Sequence, residues 1–227
     1  MLTRRSFLAP AAAFGIWLAA FPITPVFAQA KATPAKATPV SDPAAFVNGM
    51  IQQALAILRN KQITDAALQQ QFKTMLDKNF DIPKIARFVL GRYWSTASDD
   101  DRNTFNGLFE QWIVRTYSAR FKEYGGENIK VTGSRPESDT SSVVQSQLIH
   151  PDGSPPAAVD WHVNKGPDGF KVVDVEVEGV SMALTERDEF SAVIQRAGGD
   201  VASLNKALKD KLDSGVVDTA GSDTKSQ

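Results

Sequence analysis

The feature that most constrains this chain is a change of apolar period at Gly125-Gly126. Before these glycines apolar residues recur at three- and four-residue steps, the spacing of one helix face; after them apolar and polar residues alternate, the spacing of a strand. A chain that keeps helices and strands in separate blocks lacks the repeated βαβ units of a parallel or two-lobed architecture. The expected class is α+β, with helices packed on one face of a curved antiparallel sheet of about four strands.

In the helical block, Ser41-Asp42-Pro43 offers a capping side chain and a first-turn proline, and Val47, Met50, Ile51 and Leu55 follow at helical spacing to about Asn60. Thr64-Asp65 opens a second helix with Leu68, Phe72 and Leu76 on one stripe, and Ile82-Pro83 opens a third that ends near Gly91. Ser98 is followed by three aspartates, which favour the positive end of a helix dipole. A long helix with an aromatic stripe, including Phe105, Phe109, Trp112, Tyr117 and Phe121, is therefore expected up to the glycine pair. Residues 129–134, 142–150, 157–164 and 170–177 are the expected strands, joined by turns such as Pro151-Asp152-Gly153, and helices over 186–197 and 201–212 close the domain. Val159, Trp161 and Val163 share the apolar face of the third strand. On the fourth, strict alternation sets Val173, Val175 and Val177 against Val172, Asp174 and Glu176.

The chain ends carry no such pattern. Residues 1–28 combine Arg4-Arg5 with an apolar stretch that closes on Val26-Phe27-Ala28, which predicts an export signal cleaved near Ala28, of twin-arginine or Sec type. Residues 29–40 are expected as a flexible linker, 41–213 as the folded domain and 214–227 as a disordered tail. The formal net charge is −1, without a basic field, so nucleic acid is not an expected partner. With no cysteine there is neither a disulfide nor a thiolate site. His150 and His162 lack metal-ligand spacing, and Ser181 is not followed two residues on by the glycine of a nucleophile elbow. Asp174, Glu176 and Glu178 alternate as a solvated strand face would. No catalytic residue, metal or cofactor is expected, and the protein is not expected to be an enzyme.

A succession of motifs points further. Phe80-Asp81-Ile82, Ile85-Ala86, Val89-Leu90-Gly91, Tyr93-Trp94, the long aromatic helix, Pro151-Asp152-Gly153 before Pro155-Pro156, and Glu178-Gly179-Val180-Ser181-Met182 resemble, in order, the MlaC or toluene-tolerance family. The resemblance covers roughly residues 42–212. It implies a cone of helices on a sheet, related to nuclear transport factor and ketosteroid isomerase. It also implies a periplasmic phospholipid-binding protein that works with an inner-membrane ABC transporter complex and an outer-membrane lipoprotein complex to maintain outer-membrane lipid asymmetry. A carrier of hopanoids is the alternative within the family, and an isomerase or hydrolase on the cone fold the alternative outside it. The lipid pocket is expected to draw on Val159, Trp161, Val163, Val173 and Val175 of the sheet, and on the aromatics Phe88, Tyr93, Trp94, Phe109, Trp112 and Tyr117.

Overall fold

The computed structural model describes residues 42–214. Five helices come first: α1 (Pro43–Arg59), α2 (Asp65–Asn79), α3 (Ile82–Leu90), the single turn α4 (Tyr93–Thr96) and α5 (Asp99–Phe121). Each long helix begins where a side chain can accept from an orphan amide. Asp42 caps α1, Thr64 α2, Asp81 α3 and Ser98 α5. The strands β1 (Asn128–Pro136), β2 (Ser141–Ile149), β3 (Ala157–Gly166), β4 (Gly169–Val177) and β5 (Val180–Ser181) form one antiparallel meander in the order 1-2-3-4-5. Helices α6 (Met182–Arg196) and α7 (Val201–Ser214) follow. The fold is α+β as expected, with the two-residue β5 as an added fifth strand. Helix α7 includes Ser214, the first residue assigned to the tail. The export signal and linker, and the tail beyond Ser214, lie outside the described residues. Among the described residues no helix is long and apolar enough to cross a membrane.

The loop between α2 and α3 is fastened to β4. Phe80 bridges Val172, the Asp81 amide donates to the Val172 carbonyl at 3.0 Å, and Lys171 Nζ donates to the carbonyls of Asp77 and Lys78 at the C-terminal end of α2. A cation there also suits the negative end of the helix dipole.

The register of β4 corrects the strict alternation. His162 pairs with Asp174 but Val163 pairs with Val172, so Val173 is an extra residue, a β-bulge. Val172 is therefore not on the outer face: it is 0% exposed and packs with Val144, Val163, Val47 and Met50 beneath α1. The opposite face of the sheet carries His162 between Glu137 and Glu176.

The core falls into two clusters. One joins α2, α3, α5, α6 and α7 around Phe105 and Phe109; the other joins α1 to the sheet. Met75 and Phe80 pack against both.

Candidate functional site

Between the two clusters lies a cavity of about 270 Å³, near the lower end of the roughly 300–1,000 Å³ of small-molecule sites. Helix α1 contributes Met50, Ile51 and Leu55, α2 Phe72 and Met75, and α3 Ile82, Ile85 and Val89. Phe109, Trp112, Ile113 and Tyr117 of α5 form another wall, and Trp161, Val173 and Val175 the floor on the sheet. Asp174 and Glu186 are the only carboxylates in the lining among the described residues, and Tyr117, which carries a hydroxyl, also lines it. A site so apolar can hold hydrocarbon; it has few means of recognising anything polar.

Local chemistry sets the orientation of these walls. The Trp161 indole N–H donates to Ser146 Oγ at 2.9 Å, and that hydroxyl donates to the Val159 carbonyl at 2.8 Å. The polar edge of the ring is thereby satisfied within the sheet and its apolar body faces the cavity. Trp112 is held edge-on to Phe190 at 5.3 Å, inside a cluster with Phe105 and Phe109. The Glu178-Gly179 pair, both at positive φ, makes the two-residue turn from β4 to β5. Ser181 then caps α6, accepting from the Leu184 amide at 3.0 Å, and donates to Asp174 Oδ2. Asp174 Oδ1 accepts from the amides of Ala183 and Val175. The motif around Ser181 is thus a turn and cap that seat Met182, Ala183 and Glu186 in the cavity wall.

Glu186 is the polar exception. Its Oε2 is buried with no hydrogen-bond partner among the described residues. Burial first, then the charge of Glu189, raises its pKa to about 8, against the opposing effect of Arg120 and Lys211. Burial, and next the charge of Glu186, likewise pushes the Tyr117 hydroxyl up. Among the described residues no group of three or more His, Asp or Glu side chains is placed to hold a metal ion.

A family model described as MlaC protein matches residues 48–210, which carry every wall of this cavity. The chain belongs to the MlaC family. Among solved structures, the phospholipid-binding protein from Ralstonia solanacearum, determined in complex with a phospholipid, is similar in fold. It is 24% identical, with a TM-score of 0.67 over 77% of this chain and 99% of that one.

Of the residues expected in the pocket of this MlaC-family chain, six line the cavity: Phe109, Trp112, Tyr117, Trp161, Val173 and Val175. Five do not. Phe88 points away from the Ile85 and Val89 face of α3, is 44% exposed, and has the Arg187 guanidinium over its ring at 5.3 Å. Tyr93 is buried in the helical cluster, its hydroxyl accepting from Arg92, and Trp94 lies beneath Arg102 at the α4–α5 junction. Val163 is sealed under α1, and Val159 is buried where β3 pairs with Ser146 and Val177. The contributions of α1, α2 and α6 were not anticipated. The stripe of α1 was visible in the sequence as a face to bury, but not as the wall of a cavity.

Proposed function

We propose that this chain is a periplasmic carrier that shelters phospholipid acyl chains and shuttles the lipid between an inner-membrane ABC transporter complex and an outer-membrane lipoprotein complex. The observation that carries the proposal is the apolar cavity between helices and sheet. Membership of the MlaC family supports it, as does the likeness in fold to a protein determined with a phospholipid bound. The export motif at residues 1–28 supports the periplasm as the place of work.

The energetics make such a carrier necessary. A two-chain lipid exposes on the order of 30 methylenes, at ~0.8 kcal/mol each, so unaided passage through water costs roughly 24 kcal/mol. An apolar cavity offsets that loss for the chains it encloses, while the charged head group stays in water and keeps its hydration. Binding is then tolerant of head group and selective for hydrocarbon.

An isomerase or hydrolase in the same cavity would need a carboxylate of raised pKa with a polar partner to share its proton. Asp174 does not offer one, because both its oxygens are engaged at the start of α6. Burial raises the pKa of Glu186 as such a site requires, but its Oε2 has no hydrogen-bond partner among the described residues. With Asp174 engaged and Glu186 lacking a polar partner, the cavity favours retention of a ligand over its conversion.

The test is mass spectrometry of an organic extract from protein purified from periplasm without detergent. About one two-chain phospholipid per molecule is expected. Hopanoids in its place would transfer the proposal to that lipid class, and an extract without lipid would overturn it.

A further inference from the structure

Glu186 stands one turn into α6, in a wall that is otherwise almost wholly apolar, with Oε2 shielded and unpartnered among the described residues. The groups that face it are Tyr117 and Arg120 from α5, Lys211 from α7 and Glu189 on its own helix. Asp174 of β4 lies on the same cavity, and its oxygens are engaged by Ser181, Ala183 and Val175. Helices α1, α2 and α3 present only apolar side chains to the cavity. A neutral carboxyl fits such a wall; a carboxylate there must draw water in, and water competes with hydrocarbon for the space.

We propose that Glu186 is a proton-controlled latch: with its carboxyl neutral the cavity retains an acyl chain, and with it ionised the chain is released. The proposal deepens the carrier function and rests on the cavity being the lipid site. The sign follows from linkage. Burial raises the pKa of Glu186 to about 8 in the lipid-free protein, and an apolar chain against the carboxyl removes more water from it and raises that pKa further. Lipid binding above that pH therefore takes up a proton. The Kd is flat below about pH 8, rises above it by up to about tenfold per pH unit, and levels off again above the lipid-bound pKa.

The test is a titration of the protein with a phospholipid bearing a fluorescent acyl chain, over a range of about pH 6 to 10 that brackets the transition. Wild type is expected to show the rising limb. Glu186→Gln is expected to keep the low-pH affinity throughout, and Glu189→Gln to keep the limb with a lower midpoint, because that charge helps hold the proton on. A flat wild-type profile, or an unchanged limb in E186Q, overturns the latch and leaves the carrier function standing. Absence of probe binding to wild type at any pH overturns both. Should E186Q fail to fold, calorimetry of wild type in buffers of different ionisation enthalpy decides. Net proton uptake on binding at a pH above about 8 supports the latch, and no uptake overturns it.

Discussion

Val172 and Val173 are neighbours in the chain, yet one is sealed beneath α1 and the other lines the cavity. That difference separates close-packed core from binding surface at single-residue scale. Val172→Asp places an unpaired charge where nothing can hydrate it, and is expected to cost on the order of 4 kcal/mol or more. Val175→Asp faces space that water enters once lipid has left. It is expected to fold with a loss of less than about 2 kcal/mol and to purify with much less lipid. Thermal unfolding and co-purified lipid measured side by side check the pair; full lipid occupancy in a folded Val175→Asp protein would contradict the cavity assignment. Alternation in the sequence placed Val175 correctly and Val172 on the wrong face. A period of two cannot show a bulge, and no glycine marks this one.

At the scale of elements, the start of α6 is fixed by a serine and an aspartate. Ser181 accepts from the Leu184 amide and donates to Asp174, whose other oxygen takes the Ala183 amide, so the helix start and the β4 floor are tied through two side chains. Ser181→Ala removes the cap and leaves an Asp174 oxygen unpaired. The expected cost is about 1–2 kcal/mol, read as a lower urea midpoint at unchanged slope. A midpoint equal to wild type would show that the tie carries no stability. The same helix shows how a site residue escapes sequence analysis. A helix expected to begin at Glu186 gives that residue no face of its own. Capping by Ser181 starts the helix at Met182 and turns Glu186 inward. The pattern Ser181-Met182-Ala183-Leu184 held the signal, since a serine before an apolar run is a capping candidate.

At the scale of the whole molecule, the separation of helices from strands is enough to reach the fold class, because each block states its own period. The cavity is less legible. A helix face of Val47, Met50, Ile51 and Leu55 has the same spacing whether the surface opposite it touches or stands off, and the gap exists only where two clusters fail to close on each other. Of the five that miss the cavity, Phe88, Tyr93 and Trp94 have the right chemical type and Val159 and Val163 the right strand face, and neither type nor face tells a wall from a filled core. The central claim is that acyl chains lie between those clusters. Photolabelling with a phospholipid that carries a diazirine near the end of one acyl chain, followed by peptide mapping, tests it most directly. The account predicts label on cavity residues of α1, α2 and α5, such as Met50, Met75 and Trp112. Label concentrated on the outer face of the sheet near His162, or on the exposed Phe88 and Leu184, would contradict it.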